Sequence, residues 1–288
     1  CAGCGASPPR RPAVGTPLRR ASASVPEADP SPAAEAPAPA PAARDPAAEA
    51  AAAEASVLQS RLLRVGAASC RGAEATEAQR EEAAGILDAL ASLQASRPPS
   101  AAPSRSDPEA LSGAWELVFC STYPFRVSPF FEAAGALMGP SKDFFYRAHD
   151  HQTGLFGGGI GAARQEITLD GSGEGELVSD CVVKAALGVP LVGFAPVVEG
   201  SGKVRSRARA RVTDGAGTLA LVMEDTALDG GPNAVVPQLN GLVVPVSQAM
   251  SALGGGETPE TTLATTYLDD TLRVATLPDG EWFAYVRC

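Results

Sequence analysis

The 288 residues suffice for one large domain or two small ones, and 33 acidic side chains against 23 Lys and Arg make the chain acidic. That balance argues against general nucleic-acid binding, which needs net positive charge to release counterions. No run of about 18 apolar residues is free of a break, so no transmembrane helix is expected; the best candidates, 185–198 and 234–250, are interrupted by prolines.

Residues 1–26 hold Arg10, Arg11, Arg19 and Arg20 and no acid, with Ser and Thr interspersed. This is the composition of an organelle transit peptide. No apolar segment follows that would make a secretory signal. Cys1 and Cys4 form a CxxC without a second pair, a poor basis for a zinc or redox site. Cys70, Cys120, Cys181 and Cys288 are scattered and are expected as reduced thiols. Residues 31–55 are almost wholly Ala and Pro and have too little to bury, which predicts a linker whose Ala-rich end runs towards the next helix. Leader and linker together span 1–54.

From 55 the pattern becomes helical. Val57, Leu58, Leu62 and Leu63 predict one face of a short helix, followed by a loop with Gly66 and Gly72. Thr76-Glu77-Ala78-Gln79 has the form of a capping box. Ala83, Ile86, Leu87 and Leu90 recur at amphipathic-helix spacing until Pro98-Pro99. Residues 55–97 therefore predict a helical pair, and 98–110 a second linker.

After Leu111 the period shifts to that of strands. WELVF (115–119) places Trp115, Leu117 and Phe119 on one face; QEITL (165–169), ELVSDCVVK (176–184), KVRSRARARV (203–212), TLALVMED (218–225) and two closing runs around Pro278-Asp279-Gly280 follow. Many short strands without alternating helices predict a mainly β protein, an antiparallel barrel over 111–288 preceded by the helical pair. Residues 226–262 are less regular, with a loop or short helix expected around 246–253.

Several groups bear on chemistry. Arg205, Arg207, Arg209 and Arg211 share one strand face, either as a solvated face paired with Glu174, Glu176, Glu224 and Asp225 or as a contact for anionic lipid headgroups. The opposite face is small, a hint of space inside the barrel. The glycines of 157–163 precede a strand-like run, which rejects a dinucleotide loop and predicts a turn or bulge. His149 and His151 suit a surface turn better than a metal site, with no third ligand in view. Asp269 and Asp270, adjacent in sequence, point apart in a strand and fit a turn start. Gly113-Ala114-Trp115 has the Gly-x-Trp pattern that opens the first strand of lipocalins.

Three stretches resemble the plastid lipid-associated proteins, or fibrillins. LQSRLLRVGAASCRGAEATEAQREEAAGILDALASL (58–93) is similar to the family's helical lead-in, LSGAWELVFCSTYPF (111–125) to its opening strand, and TTYLDDTLRVATLPDGEWFAYVR (265–287) to its closing signature. The resemblance spans about 55–288. It implies a lipocalin-like barrel in a plastid, at plastoglobules, thylakoid membranes or in the stroma. It also implies binding of lipids, carotenoids or prenylquinones, with no shared catalytic set and no cofactor. On this reading the protein is non-enzymatic and meets plastid membranes or lipid bodies peripherally. Strand parity nominates Trp115, Leu117, Phe119, Tyr267, Leu268 and Phe283 as ligand contacts. Alternatively Trp115 plugs the barrel base with Arg273 stacked over it, which makes both structural, together with Gly113. The rival functions are a structural coat on lipid bodies and a barrel enzyme acting on a lipid or carotenoid, which would have only Asp269, His149 and His151 to draw on.

Overall fold

The computed structural model describes residues 46–96, 104–155, 159–188, 196–229, 243–244, 247–248 and 260–288. The arginine-containing leader, residue 97, residues 98–103 of the second linker and most of 230–259 lie outside the described residues.

Helix α1 (Pro46–Ala68) begins within the Ala-rich stretch, upstream of the expected boundary at 55. Alanine is the best helix former and proline is tolerated in the first turn, so PAAEAAAAEA extends the helix instead of ending the linker. Its buried side chains are Ala55, Leu62 and Val65, whereas Val57 and Leu63 are exposed, a correction to the predicted face. Helix α2 (Glu77–Ser96) follows the predicted capping box: the Thr76 N–H donates to Gln79 Oε1 at 2.9 Å, and the Gln79 N–H donates to Thr76 Oγ1 at 3.3 Å. Ala83, Ile86 and Leu90 form its buried face. The single turn α3 (Pro108–Leu111) occupies the end of the expected linker, with Asp107 as N-cap.

The strands are β1 (Gly113–Cys120), β2 (Gly159–Leu169), β3 (Glu174–Gly188), β4 (Pro196–Val212), β5 (Thr218–Asp229), β6 (Val243–Val244), β7 (Glu260–Leu268), β8 (Leu272–Thr276) and β9 (Trp282–Arg287). They pair antiparallel in the order β4-β3-β2-β1-β9-β8-β7-β5, and a β4–β5 pairing closes the ring into an eight-stranded barrel with β6 added beside β5. Closure leaves no edge in the ring to pair with other chains. Between β1 and β2 the chain inserts two helices that the strand pattern does not predict, α4 (Pro129–Met138) and α5 (Lys142–Leu155). A 3-10 turn at Pro124–Val127 leads into α4, and another at Gly139–Ser141 joins the two. His149 therefore lies on a helix and not in a surface turn. The glycine run ends in a bulge, where the β2–β3 register shifts between Ile160 and Ala163.

Two apolar clusters result. One fills the barrel and includes Trp115, Leu117, Leu268, Phe283 and Tyr285. The other lies outside it, under α1 and α2, and includes Leu62, Ile86, Leu90, Phe119, Tyr267 and Val274. Strands β1, β7, β8 and β9 are thus covered on both faces. Simple alternation fails here because β1 carries a bulge between Leu117 and Phe119, and β7 another between Thr265 and Tyr267. Each extra residue puts two successive side chains on the same face. Phe119 thereby moves to the outer cluster, where it stacks on Trp282 at 5.2 Å, and Cys120 returns to the interior.

Helix α1 reaches the sheet closely because Gly66 has no side chain; a Cβ there would run into the Val118 carbonyl. Gly66→Ala is expected to destabilise the protein by about 1–3 kcal/mol. Gly85→Ala, on the open side of α2 where an added methyl meets nothing, should instead stabilise by up to about 1 kcal/mol. Urea unfolding midpoints check both, and shifts of the same sign would contradict the seating of α1 on β1.

Candidate functional site

The barrel is sealed at the end where β1 starts. Gly113 has φ +130°, and a Cβ on it would strike the Arg287 guanidinium. That freedom lets Arg287 reach the carbonyls of Ser112 (2.7 Å) and Ala110 (2.6 Å) while lying 4.1 Å over the Trp115 ring. The indole N–H of Trp115 donates to the Leu111 carbonyl at 2.9 Å. Arg287 is therefore the principal cation on Trp115; Arg273 lies farther off, 5.6 Å from that ring and 4.6 Å from the ring of Tyr285.

The small residues predicted on the inner face of β4 are buried as expected: Ser206, Ala208 and Ala210. The room they leave is taken by the insertion after β1. Val127 and Ala133 join the interior cluster, with Phe130 and Ala134 packed against it. Ser128 Oγ donates to Ser206 Oγ at 3.0 Å, and Gln165 Nε2 donates to the Val127 carbonyl at 3.0 Å. Helix α4 packs on β4, β5 and β7 as a stopper in the other mouth. Beneath it remains a cavity of about 10 Å³, bordered by Val127, Pro129, Gln165, Leu263, Phe283 and Tyr285.

The outer side of this stopper is polar. Arg126, buried, donates from Nε to Glu132 at 2.6 Å and from Nη2 to Asp279 at 2.6 Å. Lys142 donates to Asp279 at 3.2 Å, and the Tyr146 hydroxyl donates to the Phe131 carbonyl at 3.1 Å. These links fasten α4 and α5 to the β8–β9 turn. Burial opposes ionisation of Asp279, but the hydrogen bond and charge of Arg126, followed by those of Lys142, outweigh it and hold the carboxyl below its ordinary range. Burial pushes the Tyr146 hydroxyl up, as does the Glu132 charge. A polar cleft of about 300 Å³ adjoins the network, lined by residues including Tyr123, Asp143, Arg147 and Glu281. A separate outer groove of about 490 Å³ runs between α1 and the β1–β2 pair, past Leu63, Cys70, Arg71 and Glu116.

Of the residues nominated by parity, Trp115, Leu117, Leu268 and Phe283 belong to the interior. Phe119 and Tyr267 do not: the bulges turn both under the helical pair, and the Tyr267 hydroxyl donates to Asp269 at 2.6 Å. The arginine row lies outside, as expected, and is matched by acids. Arg205 grips Asp180 at 2.7 and 2.8 Å, Arg207 lies 3.6 Å from Glu176, Arg209 lies 3.3 Å from Glu224, and Arg211 faces Glu174 in register. Asp269 caps the β7–β8 turn, accepting from the N–H groups of Thr271 (2.8 Å) and Leu272 (2.7 Å), and it also binds Gln59 of α1. His149 packs between Phe125 and Phe131, each 4.6 Å away, and burial lowers its pKa. Residues two apart on a helix sit on different sides, so His149 and His151 do not share a face of α5. Among the described residues no three His, Cys, Asp or Glu side chains gather as a metal site. Parity counting missed Arg287, Gln165, Tyr285 and the Arg126–Asp279 link. Only the alternation of the last strand hints at Tyr285.

The class so defined is a closed antiparallel barrel with a helical pair on its wall and a helical stopper in one mouth. No family model, curated protein or solved structure matches the chain.

Because the Asp279 carboxyl is more acidic folded than unfolded, its contribution is complete above the ordinary aspartate pKa of about 3.9 and is lost as pH falls through the folded value. Asp279→Asn should therefore lower stability near pH 7 by about 1 kcal/mol, a modest figure because the acid is 36% exposed. The difference from wild type should shrink as the pH is lowered below that ordinary value and the folded carboxyl takes up its proton. Thermal melts across pH measure this, and a gap that persists in acid would assign the effect to something other than the ion pair.

Proposed function

We propose that this protein is a non-enzymatic carrier of an apolar ligand in a lipocalin-like barrel, and that it works in plastids, as its resemblance to fibrillins implies. One observation carries the reading. The barrel wall is small-residued along β4, and the space it leaves is filled by a separate helix held on its outer side by ion pairs, not by side chains of the strands themselves. A stopper of that kind can leave without unpairing a strand. Its departure would uncover Leu221, Leu263, Leu277 and Phe283 for an apolar guest. Burial of such a guest gains roughly 25 cal/mol per Å² of apolar surface.

The chemistry of the candidate reactive groups supports binding over catalysis. The thiols of Cys120 and Cys181 are pushed up by burial to about 12 and about 11, which suppresses the thiolate. Asp269 is occupied as a turn cap, and its carboxyl stays in the acidic range despite burial because Tyr267, Thr271 and Leu272 donate to it.

A surface role on lipid bodies or thylakoids has an observation of its own. Met138 and Phe144 flank the turn between α4 and α5 and are 44% and 76% exposed. In this reading the stopper end rests on the lipid from which the ligand enters. The arginine row supports it less, since acids neutralise it.

Delipidated protein titrated with a prenylquinone or carotenoid should show saturable one-to-one binding with tryptophan quenching. Phe144→Ser should leave that binding intact and reduce partition onto vesicles of plastid-lipid composition. Unsaturable partition with no stoichiometric binding would favour the coat, and chemical turnover of the ligand would favour an enzyme. A fusion of residues 1–55 to a fluorescent reporter is expected to enter plastids; cytosolic fluorescence would refute the location.

A further inference from the structure

Arg273 is the anomaly of the interior. It is fully buried in β8, and its Nη2 donates to Gln165 Oε1, yet its Nε and Nη1 have no partner. Among the described residues the charges that act on it are those of Tyr285 and Arg287, and no carboxylate is among them. Burial lowers its pKa only to about 10, so it stays a cation at neutral pH. The ring faces of Tyr285 and Trp115 offset part of that charge.

The other unpartnered atoms stand on the same wall. Among the described residues the buried side-chain atoms without a hydrogen-bond partner are Arg273 Nε and Nη1, Tyr285 Oη and Thr265 Oγ1. Tyr285 faces Arg273 directly across the β8–β9 pair, and Thr265 lies opposite Ala275, two residues along the inner face of β8. All of these atoms can donate, and those of the guanidinium can do nothing else. A cation ringed by free donors lacks an acceptor that carries negative charge. Water would satisfy the donors but leave the charge unpaired, and an unpaired buried charge is costly to a core. Arg126 shows the alternative within the same molecule: buried similarly, it has two carboxylates.

The small cavity below α4 is bordered by both Gln165 and Tyr285, the two residues that touch Arg273. Its volume is close to what one water molecule or one polar atom requires. Phe283, Leu263 and Leu277 border the same cavity, as do Val127 and Pro129 at the seam with α4.

We propose that Arg273 and Tyr285 form an anchoring subsite for a carboxylate, so that the barrel prefers an acid to a neutral lipid with the same tail. The guanidinium Nε–H and the Nη2–H beside it, the fork with which Arg205 grips Asp180, would take the two carboxylate oxygens, displacing Gln165 Oε1 from Nη2, and the Tyr285 hydroxyl would donate to one of them. This rests on the carrier reading for the apolar tail, which must lie along the seam once α4 shifts. The carboxylate itself has two possible sources, a long-chain acid or a small free acid.

The test titrates the delipidated full chain with oleate, with oleyl alcohol and with acetate, following heat of binding and thermal shift. Oleate should bind tighter than oleyl alcohol by about tenfold or more, the usual worth of a charge-assisted hydrogen-bonded pair. Arg273→Met should remove that preference, leave oleyl alcohol affinity unchanged and raise the melting temperature of the ligand-free protein, because it deletes an unpaired charge. Tyr285→Phe, which keeps the ring, should weaken oleate several-fold, roughly as loss of one hydrogen bond to a charged group does. Stabilisation by acetate that Arg273→Met abolishes, without binding of either long-chain compound, would keep the carboxylate subsite and sink the carrier reading. Equal affinities for oleate and its alcohol would sink the subsite and keep the carrier. Binding of none of the three overturns both. If Arg273→Met fails to fold, unaltered oleate affinity in Tyr285→Phe decides against the proposal.

Discussion

Strand β1 is apolar on both faces, and the rest of the molecule follows from accommodating that. Trp115 and Leu117 need the barrel, while Val118 and Phe119 need cover from outside. A regular strand cannot place Leu117 and Phe119 on opposite sides. The bulge at Val118 can, at the loss of one step of the β1–β9 ladder. The matching bulge in β7 turns Tyr267 outward to the same cover. Helices α1 and α2 are accordingly part of the core. Gln59 and Gln94 tie them to the β7–β8 turn through Asp269 and the Leu268 carbonyl, and the close approach at Gly66 brings them to β1.

The interior divides its charges in an informative way. At the mouth, each buried or half-buried ion of the stopper has an opposite neighbour: Arg126 with Glu132 and Asp279, Lys142 with Asp279. On the outer wall the arginines of β4 likewise meet acids of β3 and β5. Arg273 has none. Where the surroundings could have offered a carboxylate, they offer Gln165, two aromatic faces and a hydroxyl. The contrast lies within one chain, so it does not reduce to a general tolerance for unpaired ions.

Much of the frame is legible in the sequence because it rests on local rules. The capping box at Thr76, the turn at Asp269, the closing hairpin and the outward arginine row all depend on neighbours a few residues away or directly across a ladder. The stopper was not legible. Phe130, Phe131, Ala133 and Ala134 are too short a run to separate helix from strand, and Gly139-Pro140 interrupts the period before α5 can extend it. The bulges left no mark either, because an extra residue in a strand looks like any other. Parity counting therefore placed Phe119 with Trp115 although the fold separates them. The alternative of a plug pairs Trp115 with Arg273, whereas Arg287, two residues beyond Tyr285, lies closer. Such choices are made by three-dimensional packing and not by spacing.

Gln165 joins the two halves of the interior. Its side-chain oxygen accepts from Arg273, and its nitrogen donates to the Val127 carbonyl in the turn that carries α4. One amide thus connects the unpaired cation to the stopper. It is held in one orientation, since a flipped amide would set its NH₂ against the guanidinium and its oxygen against a carbonyl. An acceptor that takes over the Arg273 donors competes for the partner of the Gln165 oxygen. The Gln165–Val127 bond then loses the anchor that fixes its donor. Filling the subsite and loosening the stopper draw on the same hydrogen bonds, which is the physical basis on which occupancy of the barrel and opening of its mouth can be coupled.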